Sequence, residues 1–188
     1  MWLLIVGLVL FLGAHSVRIV APQWRDAQVA EHPGAFKGVY ALVSLAGLVI
    51  IIWGFSLARL ETTFLFTPPS WGVHAASLLV ILGFIGITAA YLPAGRIKAW
   101  LKHPMVVGVA LWAVGHLLAN GDLASLLLFG AFLIWAIVDR IAAGRRREPV
   151  PEAGPITNDI LAIAIGTAVG LVFALWLHAP LIGVAPFA

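Results

Sequence analysis

The chain contains no cysteine. Disulfides, thiolate metal sites, iron–sulfur clusters and cysteine nucleophiles are thereby excluded. Charge is nearly as scarce: Asp, Glu, Lys and Arg make up 10% of the 188 residues, against about 25% in a soluble domain. Only eight carboxylates are present. Asp122 and Asp139 stand near the ends of apolar runs, so no Ser-His-Asp triad is credible inside them. Six histidines occur, none at His-x-x-x-His spacing, and the His/Asp/Glu cluster that a zinc site takes is missing.

What is present is apolar. The chain is 62% hydrophobic, with a mean hydropathy of +1.06, which places it among integral membrane proteins. Six apolar runs are readable: Trp2 to Val20, Gly38 to Leu57, Val73 to Leu92, Pro104 to Ala119, Leu123 to Val138, and Ile160 to Leu177 with Ile156 as an earlier start. A spanning helix needs about 20 residues. The fourth and fifth runs are shorter, about 24 Å each at helical rise. With only Asn120-Gly121-Asp122 between them, they read as a tight hairpin. The alternating pattern of a transmembrane barrel is absent. The expectation is therefore an all-α, polytopic transmembrane bundle of about six helices, residues 1–188 forming one membrane domain.

Ten of the eleven Lys and Arg residues flank one side of these runs: Arg18, Arg25, Lys37, Arg96, Lys98, Lys102, Arg140, Arg145, Arg146 and Arg147. Arg59 alone lies on the other. By the positive-inside rule both termini are outside (N-out, C-out) and the basic loops are cytoplasmic. The sequence pI near 9.8 reflects topology and not nucleic-acid binding. The first run lacks a preceding basic residue and a small-x-small cleavage site, and reads as a retained helix.

Histidines inside such runs invite chemistry, because polar groups in a bilayer are expensive and tend to mark a cavity or cofactor. His116 stands one turn after Trp112 and one turn before Asn120, inside the fourth run. His15 lies in the first run beside Gly13 and Ala14, with Arg18 one turn on along the same face. An arginine there suits a carboxylate such as a haem propionate. The competing reading is an interhelical hydrogen bond for each histidine and a snorkelling Arg18. His103 opens the fourth run before Pro104, where it caps a helix, carries a proton or holds a propionate. His103 and His116 are 13 residues apart, about 20 Å of rise and about 220° of rotation, so they cannot share one metal. His32, His74 and His178 read as loop or interfacial residues. Two isolated intramembrane histidines on different helices match the needs of a b-type haem.

The stretches "FLGAHSVR", "YALVSLAGLVIIIWGFSLAR" and "KHPMVVGVALWAVGHLLANGDLASLLLFGAFLIWAIVDR" resemble the NnrU family of bacterial membrane proteins, over about Met1 to Arg140. That family takes its name from an association with nitric-oxide metabolism in denitrifying bacteria. It is related to plant 15-cis-zeta-carotene isomerase, a haem b enzyme. The resemblance implies haem ligation by His15 and His116, with His15, His116 and iron as the metal site, and Arg18, His103 and Lys102 on the propionate side. It further implies redox, ligand or isomerase chemistry on nitric oxide or a lipid-soluble substrate. A cysteine of the isomerase, one turn before its second histidine, is Ala113 here, so a cysteine-based ligand switch is absent.

Topology adds a constraint. His15 falls in the inner half of the bilayer and His116 about 10 Å higher. One haem joins them only with a tilted axis or offset helices; otherwise a single histidine ligates, or His116 pairs with His74. Two other functions compete. "KHPMVVG" is similar to the "RHPxYxG" stretch of isoprenylcysteine-type methyltransferases, which bind S-adenosylmethionine, but Lys102 and Val106 replace its arginine and tyrosine, and "REPVPEAG" leads into another apolar run. The alternative is a non-enzymatic scaffold or assembly factor, as a homo-oligomer or within a membrane complex.

Overall fold

The computed structural model describes residues 1–146 and 149–186; Arg147, counted above with the basic residues, lies outside the described residues. Among those described the protein is helical throughout, with one isolated β-bridge between Phe64 and Asp122 and no strand. The helices are α1 (Trp2–Val20), α2 (Pro22–Glu31), α3 (Pro33–Ala58), α4 (Gly72–Tyr91), α5 (Arg96–Leu101), α6 (Pro104–Ala119), α7 (Leu123–Arg145), α8 (Ile156–Val172) and α9 (His178–Ile182), with a π-helical segment Phe173–Leu177 joining the last two.

Five helical segments among the described residues are long and apolar enough to cross a membrane, and α6, with 16 residues, is a shorter apolar helix. The all-α expectation holds, and the first and fourth runs match α1 and α6 end to end. Elsewhere the edges shift, most at the start of α3 and the end of α7. Pro33 at the first helical position starts α3 before the apolar run begins. The fifth run is not short: α7 continues through Asp139 and Arg140 to Arg145, giving 23 residues. The polar helices α2 and α5 occupy stretches without apolar periodicity.

The chain divides into two compact units, Met1–Thr63 and Phe64–Ala188. In the first, α1 and α3 lie side by side at a glycine seam. A Cβ on Gly7 would meet Ile51 N at 2.6 Å, one on Gly47 would meet Phe11 N at 2.7 Å, and one on Gly54 would meet Leu4 N at 2.5 Å. These pairs descend one helix as they ascend the other, so the helices are antiparallel. Meanwhile Val9 and Leu42 are 67% and 69% exposed. Small residues inside and large apolar residues outside is the arrangement expected in lipid, where burial of leucine gains little and close backbone approach gains more.

In the second unit α4 is the central helix. α6 packs on one side, with Gly83 against Gly108 and Ala76 against Gly115. α8 packs on another, with Ile85 against Gly166 and Ile81 against Gly170. Both neighbours run antiparallel to α4. α7 packs on α6 through Phe129 and Phe132, whose rings meet Trp112 edge-on at 5.0 and 5.4 Å. Buried Asp122 caps α7, accepting from the backbone N–H of Ser125 at 3.0 Å and from its hydroxyl at 2.6 Å. At the other end of the unit, Asp159 of α8 accepts from the backbone N–H groups of Arg96 and Ile97 at 3.0 and 2.9 Å. Asn158 donates to Ala94 O at 2.8 Å. The first turn of α8 thus holds the start of α5.

Candidate functional site

The antiparallel registers decide which residues share a level. With Ala76 opposite Gly115, His116 comes beside residue 75 of α4. With Ile81 opposite Gly170, residue 178 comes to the level of Val73. Two histidines 62 residues apart in sequence therefore arrive at the same end of α4. Their rings stand 6.4 Å apart, centroid to centroid, with planes within 9° of parallel.

Both border a cavity of about 290 Å³ whose lining includes Ala76, Ser77, Trp112, Asn120, Gly170 and Phe173. Ser77 donates its hydroxyl to Val73 O at 2.8 Å, and Asn120 donates its amide to His116 O at 2.8 Å. These two polar groups are spent on helix carbonyls. Val73 and Leu171, also on the lining, are exposed at the surface of the unit, so the cavity communicates with the surroundings of the apolar helices.

The tautomers follow from the partners. Nδ1 of His116 lies 2.8 Å from Trp112 O, and Nδ1 of His178 lies 2.7 Å from Val184 O. A carbonyl oxygen only accepts, so Nδ1 carries a proton in both rings, and in the neutral imidazole Nε2 then carries the lone pair. This is the state in which histidine ligates a metal, with the second nitrogen bound to a backbone carbonyl that fixes ring orientation. Aromatic neighbours hold the His116 ring further: Phe129 stacks on it at 4.3 Å and Trp112 lies tilted at 5.1 Å.

His15 shows the same tautomer in the first unit, its Nδ1 donating to Phe11 O at 2.7 Å. It is caged by aromatic rings, Phe11 stacked at 4.2 Å and Tyr40 tilted at 5.2 Å. Arg18 stands in the last turn of the same helix. Lys102 and His103 lie at the α5–α6 corner of the second unit. There Lys102 takes φ +65° and ψ −49°, with the His103 N–H donating to Leu101 O at 2.7 Å. This is a γ-turn with positive φ, a strained conformation for a residue with a side chain. Helical rise puts His103 about 20 Å along α6 from His116, and neither it nor Lys102 lines the cavity.

Of the predicted residues, then, His15 and Arg18 share one helix of the first unit, and Lys102, His103 and His116 belong to the second, with His116 alone at the cavity. His74, the interfacial partner considered for His116, is exposed and does not line it. His178 was missed. Reading it as the end of an apolar run ignores the turn that follows, where Pro180 cannot donate to Trp176 O and the helix widens into the π segment. Pro180 was the one available signal, and π segments favour functional sites.

A family model described as NnrU protein matches residues 3–186, and the chain belongs to the NnrU family. The match runs past Arg140 through α8 and α9, so the C-terminal helices lie within the matched region. No curated protein and no solved structure matches the chain.

Proposed function

We propose that this NnrU-family membrane protein binds haem b, with His116 as an iron ligand in the second unit and His15 as an iron ligand presented by the first. The observation that carries this reading is at His116: its Nδ1 gives a proton to Trp112 O, which in the neutral ring keeps the Nε2 lone pair of a cavity-lining residue for a ligand role, and His15 makes the same Nδ1 bond to Phe11 O. The largely apolar lining around His116, with Val80, Ile81 and Phe84 among its residues, suits an apolar macrocycle.

Haem b supplies an iron that exchanges an electron or binds a small neutral ligand such as nitric oxide. The residues of this chain bind and orient it. Trp112 O and Phe11 O fix the two imidazole tautomers, Phe129 and Phe11 hold the ring planes, and the apolar lining excludes water. Arg18 is proposed to pair with a propionate beside His15. Lys102 and His103, a helix length from His116, are not proposed to hold a propionate of a haem ligated there. Access from the surface of the unit suits nitric oxide or a lipid-soluble substrate, in keeping with a role in nitrogen-oxide metabolism at a bacterial inner membrane.

Haem content per chain tests this reading. Protein purified in detergent after haem-replete expression is expected to carry bound haem, lowered in His116→Ala and in His15→Ala. Haem-free wild-type protein would overturn it, leaving the scaffold reading as the default.

A further inference from the structure

We propose that His116 and His178 form a two-imidazole site that takes one transition-metal ion between their Nε2 atoms. On the reading above, that ion is the haem iron and His178 is its second axial ligand.

The separation of the rings is the first argument. Two imidazoles on opposite sides of one ion, each with a metal–nitrogen bond of about 2 Å, hold their nitrogens about 4 Å apart. A further ring radius at either end brings the centroids to roughly 6 Å. The observed centroid distance is 6.4 Å, with planes 9° from parallel. The second argument is protonation. Both rings donate Nδ1–H to a carbonyl and both residues line one cavity, so in the neutral state each keeps its Nε2 lone pair for a shared cation.

The third argument is the backbone cost at His178. The π segment Phe173–Leu177 interrupts the α-helix just before it, and the chain then turns at Gly183, where φ is +81°. That turn brings Val184 O back to His178 Nδ1. Val184 also lines the cavity. The turn that follows the π segment therefore orients the ring.

The pair would hold one ion within a single unit.

The test compares wild type with His116→Ala, His178→Ala, His178→Gln and His15→Ala, all purified in detergent. It reads optical and electron paramagnetic resonance spectra together with total metal content. Gel-filtration profiles and melting curves identify any variant that fails to fold, and His178→Gln keeps a polar side chain that can still reach Val184 O. The expected result is a low-spin haem in wild type that turns high-spin or is lost in both His178 variants and in His116→Ala, and stays low-spin in His15→Ala. A haem whose spin state is untouched in folded His178 variants would overturn the pair while leaving haem binding intact. One equivalent of non-haem metal, lost in His116→Ala and His178→Ala, would uphold the pair and overturn the haem reading. Neither haem nor metal in wild type would overturn both.

Discussion

At the scale of the residue, the protein places its unusual features where hydrogen bonds hold them. Asp122 satisfies both a backbone N–H and a hydroxyl of Ser125. Lys98, read from sequence only as a topology charge, reaches Ala90 O and Leu92 O at 2.8 Å each, so its ammonium satisfies orphan carbonyls at the C-terminal end of α4. Lys102 is the exception, since its positive φ is a cost without a glycine to relieve it. Replacing it is expected to help stability. Lys102→Gly should raise the unfolding free energy by about 1 kcal/mol, seen as a higher melting temperature in detergent. A lower melting temperature would mean that the lysine side chain makes a contact worth more than the strain.

At the scale of the element, the sequence was most legible where one physical signal dominated. The edges of α1 and α6 were readable because apolar composition stops there with the helix, at Ala21-Pro22 and at Asn120-Gly121. The α7 end was not, because Asp139 to Arg145 continue the helix after the apolar run has ended. α2 and α5 begin after local signals, Pro22 and Gly95, yet carry no apolar stripe to announce them. His15 and His116 could be picked out because each is polar within an apolar run, a property of the run itself. His178 could not, because its meeting with His116 depends on how α6 and α8 each register against α4, a non-local fact.

The clamp between α8 and α5 belongs to this scale too. Asp159 is 7% exposed and accepts two backbone N–H groups, and Gly95 has no room for a Cβ because the Asp159 carboxylate occupies that space. Asp159→Ala is expected to destabilise the protein by about 2 kcal/mol, the cost of leaving buried donors unsatisfied. Asp159→Asn, which keeps one acceptor, should fall between. The order wild type, Asn, Ala in thermal unfolding checks this; equal melting temperatures for all three would show that the clamp contributes nothing.

At the scale of the whole molecule, exposed leucine and buried glycine agree with a lipid solvent, and the charge distribution predicts an orientation with both termini outside. The absence of native cysteine makes that orientation directly measurable. Thr62→Cys and Gly183→Cys are expected to react with a membrane-impermeant maleimide in intact cells, and Arg145→Cys only after lysis. The reverse pattern would invert the topology.

The family match and the packing of α8 on α4 make the C-terminal helix part of the functional unit. The central claim is that this unit presents imidazole nitrogens to iron, and the absorption spectrum of the purified wild-type protein, oxidised and then reduced, tests it most directly. A Soret band with sharpened visible bands on reduction is the predicted result. A featureless spectrum from folded protein expressed with ample haem would contradict it.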